Sequence, residues 1–112
     1  MRYLQIFTTV GKREDAERIA ETLVQGRLAG CVQIVGPISS TYWWKSKIEK
    51  AEEWLCLVKT EETLYHEVEK AIKKIHPYEI PEIIAVTIAA GSREYFRWLG
   101  QELRLRKSKS LR

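Results

Sequence analysis

The feature that most constrains this chain is a set of short strand-like segments that are apolar on both faces. Side chains alternate between the two faces of a strand. In the first segment Leu4 and Ile6 point one way, while Tyr3 and Phe7 point the other. In a later one Trp54, Cys56 and Val58 oppose Leu55 and Leu57, and Ile83-Ile84-Ala85-Val86 is apolar on both sides as well. Strands of this kind have to be covered on both faces.

Between them the hydrophobic period changes. Ala16, Ile19, Ala20, Leu23 and Val24 recur at helical offsets, with Glu14 and Asp15 in the first turn and Gly26 as the expected stop. Cys31–Val35, a Gly36-Pro37 break and Ile38–Trp44 read as one long strand, bent or bulged in its middle. Lys45-Ser46-Lys47 reads as the turn into a second long strand, 48–60. Thr60 is placed to cap a helix with the stripe Leu64, Val68, Ala71, Ile72 and Ile75, which Pro77 ends. A strand over 83–89 follows, and then a helix capped by Ser92 that runs to about Leu103. The order β α β β α β plus a final helix predicts an α+β fold of the ferredoxin-like type, an antiparallel sheet with two helices on one face.

Those two helices cover one face only. Residues 1–103 read as a single domain with no spare segment for the other, so a second copy of the chain is the expected cover and a homo-oligomer the expected state. Charge points the same way, towards a self-contained body. The formal net charge is +4, but residues 101–112 hold five basic groups and one acid, which leaves residues 1–100 neutral. The excess belongs to a basic C-terminal tail, 104–112, expected to be flexible. A balanced body lacks the basic stripe of a nucleic-acid-binding domain, so nucleic acid is not an expected partner.

The longest nearly apolar stretch, 83–90, is far shorter than the ~18 residues of a membrane span. Met1-Arg2-Tyr3 moves straight into strand alternation, so a cytoplasmic location is expected. If Trp44 faces Ile48 across the turn, Cys56 lies opposite Gly36 and five positions from Cys31, roughly 17 Å at ~3.4 Å per residue. That is beyond disulfide reach, and both thiols are read as small hydrophobes. The chain has no Asn, one Asp and one Met, with 30% charged residues, a composition trend of hyperthermophile proteins that predicts a thermostable protein.

The densest polar cluster is His76-Pro77-Tyr78-Glu79-Ile80-Pro81-Glu82. Two prolines hold His76 and Ile80 outside the helical region. The loop reads either as a stiff, preorganised site for a cation or small ligand, or as punctuation between helix and strand in which His76 bonds locally. Lys59 reads either as a salt-bridge partner for Glu82 or as an anion hook. Adjacent strand positions put Trp43 and Trp44 on opposite faces, which suits core plus subunit interface better than a stacking platform. His66 sits beside its helix's apolar stripe and is expected to be exposed. No nucleophile and base pair and no phosphate-cradling loop stand out, so catalysis is not expected.

Gly30-Cys31-Val32-Gln33-Ile34, Pro37 to Lys45, Lys59-Thr60, the 76–82 loop and Tyr95-Phe96-Arg97-Trp98-Leu99 together resemble the CutA family of divalent-cation tolerance proteins. The resemblance spans about residues 3–103. It implies a homotrimer packed through its sheets, similar in architecture to the PII proteins, that binds a divalent cation such as copper. It makes His76 the expected metal ligand. Phe7 and Ile75 stand where some bacterial members carry a cysteine and a second histidine, and one imidazole is a poor soft-metal site. The PII-like alternative is a signalling trimer with a small anionic ligand in inter-subunit clefts lined by Lys59, Tyr78, Glu79 and Glu82.

Overall fold

A computed structural model describes residues 2–104. The elements are β1 (Tyr3–Val10), α1 (Arg13–Gln25), β2 (Cys31–Trp44), β3 (Lys47–Glu61), a 3-10 turn (Glu62–Leu64), α2 (Tyr65–Ile75), β4 (Ile84–Thr87) and α3 (Arg93–Glu102). The strands form one antiparallel sheet in the order β2-β3-β1-β4, the ferredoxin-like arrangement expected from the pattern. Apart from Arg104, the expected tail lies outside the described residues.

One face of the sheet carries the core. Ile6 and Val10 of β1 and Cys56 and Val58 of β3 meet Ile19 and Leu23 of α1 and Val68 and Ile72 of α2, all at most 1% exposed. Each large aliphatic side chain buried there contributes about 1.5–3 kcal/mol. The Cys56 thiol belongs to this layer, and burial pushes its pKa up to about 11.

Helix α1 ends at Gly26 as expected, with the turn out of the helix made by the residue after it. Gly26 keeps a right-handed backbone, and the left-handed residue is Arg27, at φ 57°. Leu28 N–H donates to the Leu23 carbonyl and Arg27 N–H to that of Val24, the paired bonds of a Schellman cap. The left-handed backbone costs a non-glycine residue about 1–2 kcal/mol. Arginine offers a return: its guanidinium donates to the Glu102 carboxylate at 2.9 Å and to the Glu102 carbonyl at 3.0 Å, and Arg104 N–H donates to the Arg27 carbonyl. The end of α1 is thereby fastened to the end of α3.

The β2–β3 ribbon turns through Lys45 and Ser46 alone, at φ 51° and 68°, and pairs Trp44 with Lys47. Two positive φ values in a two-residue loop match the right-handed twist of the strands. A register shift lies between Val35 and Ile38. A Cβ on Gly36 would stand 2.6 Å from the Trp54 ring, so only glycine lets that ring lie against the bulge. Turn and bulge together set Cys56 opposite Ile34, three positions from Cys31 rather than five. That is still roughly 10 Å, and both cysteines are free thiols.

Two further expectations change. Thr60 lies within β3 and donates from its hydroxyl to the Leu28 carbonyl at 2.6 Å, so it ties the strand to the β2 side instead of capping α2. Ser92 does cap α3, accepting from Tyr95 N–H at 3.0 Å. The second sheet face is only partly open. At one end α3 stacks Phe96 on Tyr3 with ring centres 4.7 Å apart, and at the other the 76–82 loop descends on β3. Between them Val35, Ile84 and Val86 remain 45–53% exposed, and the projecting arm of the ribbon carries Trp43 and Ile48, 71% and 60% exposed.

Candidate functional site

Pro77 forces His76 out of the helix, to φ −76° and ψ 134°, while its N–H still closes the last turn of α2 on the Ile72 carbonyl. The ring then turns towards β1. Nε2 lies 2.9 Å from the Thr9 carbonyl oxygen, and an oxygen of that kind only accepts. Nδ1 accepts from Tyr78 N–H at 3.1 Å. The imidazole is therefore neutral, protonated on Nε2, with both nitrogens engaged. Burial pushes its pKa down, and the Thr9 bond opposes that shift only in part.

Tyr78 stands beside His76, with ring centres 4.9 Å apart, and its hydroxyl donates to Glu53 Oε2 at 2.7 Å. Burial first, and the bond to Glu53 second, raise the tyrosine's pKa far above its ordinary value. The phenol is thus a donor at every physiological pH. Glu53 is 5% exposed, in the β3 position opposite Ile38 where the ribbon leaves the bulge. A carboxylate so covered needs compensating partners. Tyr78 is the one described hydrogen-bond donor to it.

Over this pair opens a cavity of about 690 Å³. Its walls are Tyr42, Trp43 and Trp44 from the arm, Thr9 from β1, and Tyr78, Glu79, Ile80 and Glu82 from the loop. Three lining residues are carboxylates, and no lysine or arginine is among them. Low-dielectric walls with charge of one sign concentrate that field, so the cavity favours cations and repels anions.

The structure gathers Tyr78, Glu79 and Glu82 at this cavity with His76 behind them. Lys59 is elsewhere. It lies six residues along β3 from Glu53, roughly 20 Å away, and its ammonium donates to the Gln5 and Gln33 side-chain carbonyls. Within one chain it is neither a salt-bridge partner of Glu82 nor a hook in the pocket. The expectation that His76 ligates a metal also meets an obstacle, because its nitrogens are used in holding the loop. Copper does not fit this donor set: the side chains facing the cavity offer oxygens, and soft or nitrogen-seeking ions prefer other ligands. Among the described residues no three His, Cys, Asp or Glu side chains are grouped to hold an ion. Trp43 and Trp44, expected in core and interface, are cavity walls, and His66 is exposed.

Glu53 was not singled out from the sequence. A signal existed, since it shares the parity of Leu55 and Leu57 and thus falls beside apolar positions of the second face. Only the loop folding over that face makes it a site.

Comparison with known proteins gives the family of the chain. Residues 4–102 match the family described as CutA1 divalent ion tolerance protein. The divalent-cation tolerance protein CutA of Thermus thermophilus is 43% identical over 94 residues, covering 84% of this chain and 91% of that protein. Protein CutA 1, chloroplastic, of Oryza sativa is 36% identical over 88% of this chain, which spans 56% of that longer protein. The crystal structure of CutA1 from Oryza sativa superposes with a TM-score of 0.90 at 35% identity, covering 93% of this chain and 95% of that one. With sequence and fold in agreement over nearly all of the described residues, the chain belongs to the CutA1 divalent ion tolerance family.

Proposed function

We propose that this protein works in divalent-cation tolerance as a homotrimer joined through the open face of its sheet, and that the cavity beneath the 76–82 loop takes a positively charged guest. The observation that carries the second statement is Glu53, a 5% exposed carboxylate in a cavity lined by two further carboxylates and by no cation. The trimer rests on the exposed Val35, Ile84 and Val86 and on the resemblance, which supplies the number three. Two free thiols, one of them deeply buried, suit a reducing cytoplasm.

Oxygen donors favour hard or borderline ions such as Mn(II) over Cu(I) or Cu(II). The PII-like alternative relies on Lys59 to hold its anionic guest, and that ammonium is already shared by two amide carbonyls. Titration of Mn(II), Cu(II) and small dicarboxylates against wild type and Glu53→Gln tests the reading. Saturable cation binding that weakens in Glu53→Gln is expected. Tight dicarboxylate binding, or cation binding unchanged by the substitution, overturns it. Light scattering at micromolar protomer tests the trimer, which a monomer mass would refute.

A further inference from the structure

We propose that the guest of this cavity is an alkylammonium ion, held with its charged head at Glu53 and its hydrocarbon against the aromatic walls, rather than a metal ion alone. The proposal rests on the reading of the cavity as cation-selective and adds the class of cation. Size is the first argument. The cavity, about 690 Å³, falls in the range of roughly 300–1,000 Å³ usual for organic ligands, whereas one water-sized occupant takes about 30 Å³. A lone ion would leave most of it to solvent.

The walls supply the second argument. Three aromatic residues serve it: Tyr42 and Trp44, which share the Glu53 face of the ribbon, and Tyr78 from the loop. A metal ion gains little from ring carbon, but an ammonium with alkyl groups gains twice: its charge is attracted to the ring faces, and its hydrocarbon leaves water. The molecule already uses this chemistry on a ring that lines the cavity, for the Lys45 ammonium sits 5.6 Å from the centre of the Trp44 ring. Arg13 takes a similar place over Trp54, at 5.2 Å. Trp44 thus accepts an alkylammonium from within its own chain, and a guest amine would take over or share that ring.

Glu53 supplies the third. Oε2 is engaged by the Tyr78 hydroxyl, and no described hydrogen bond reaches Oε1. A carboxylate 5% exposed in the cavity lining, with one oxygen committed to a donor that keeps its proton, has the other left for N–H groups of a guest. Glu79 and Glu82 are exposed at the rim, where they attract the cation without desolvation.

The test uses the full chain in its assembled state, with n-butylammonium and 1,4-diaminobutane as probes, n-butanol as the uncharged control and Mn(II) as the metal. Calorimetry or ligand-observed NMR on the wild type is expected to give saturable binding of both amines and none of butanol. Glu53→Gln should weaken amine binding by about tenfold or more, through loss of a charge-assisted bond. Trp44→Leu should weaken it by about fivefold while leaving Mn(II) affinity unchanged. Tyr78→Phe keeps the Glu53 charge and serves where Glu53→Gln does not fold; it should retain amine binding. Mn(II) binding without amine binding overturns the inference and leaves the cation-selective reading standing. Binding of neither overturns both. Butanol binding as tight as butylammonium, or amine affinity equal in wild type and Glu53→Gln, also refutes the proposal.

Discussion

The second face of the sheet carries two polar clusters of opposite sign, one towards each end. At the loop end Glu53 is covered, bonded by Tyr78 and closed in by a segment that His76 anchors. Near the α3 end Lys59 keeps an ammonium between two glutamine carbonyls, with no described carboxylate on it. The acid is built into the fold, whereas the base is laid upon its surface. Removing a partner from the first strands a buried charge, while removing the second releases two groups that water can satisfy.

That contrast can be broken most severely in the apolar ground between the clusters. Leu57→Glu, opposite Phe7 at the centre of the face, is expected to dissociate the proposed trimer, with the scattering mass falling to that of one 13.1 kDa chain. A variant that stays trimeric would show that assembly uses another surface.

Next in size is the anchor of the loop. His76→Ala removes bonds to Thr9 and Tyr78 and is expected to lower unfolding free energy by about 2–3 kcal/mol in denaturant titrations at fixed protomer concentration. The pH dependence has a definite sign. The folded-state pKa of His76 lies below the ordinary value of 6.5, so the unfolded chain binds its proton more readily. Stability should be full above pH 6.5 and fall as pH drops through it towards the folded-state value. His76→Gln should flatten this stretch of the curve, and equal slopes in both proteins would contradict the neutral, doubly bonded ring.

Smaller effects sharpen the comparison. Tyr78→Phe should cost about 1–2 kcal/mol, because Glu53 stays buried without its donor. Lys59→Met should change unfolding free energy by less than about 0.5 kcal/mol, measured in the same way. Equal losses at the two positions would erase the distinction between the two ends. Smallest and opposite in sign, Ser46→Gly at φ 68° should stabilise the ribbon by about 0.5–1 kcal/mol, read as a higher denaturation midpoint.

Much of the architecture was legible because it follows from local period. The change from two to 3.6 placed every strand and helix, and the capping role of Ser92 followed from an exposed hydroxyl before a helical stripe. Thr60 was misread for an instructive reason. Its hydroxyl has two possible uses, and which one wins depends on the Leu28 carbonyl, contributed from 32 residues away. Gly26 ends α1 as its place in the sequence suggests, but the left-handed backbone falls on Arg27, whose bonds to Glu102 come from 75 residues away and leave no local signal.

The candidate site divides along the same line. The stiffness of the 76–82 loop is covalent, since Pro77 and Pro81 restrict their neighbours in any context, and apolar residues on both faces of β1 and β3 require a second cover whatever supplies it. By itself, then, the sequence determined the order of elements, the rigid loop and the apolar character of both sheet faces. The tertiary structure alone decided that His76 spends both nitrogens on Thr9 and Tyr78, that Glu53 is buried while Lys59 lies at the far end of its strand, and that Tyr42 and Trp44 line a cavity with Glu53 and Tyr78. Those outcomes depend on the register of β2 against β3 and on where the loop lands, and a one-residue slip carries every side chain to the opposite face.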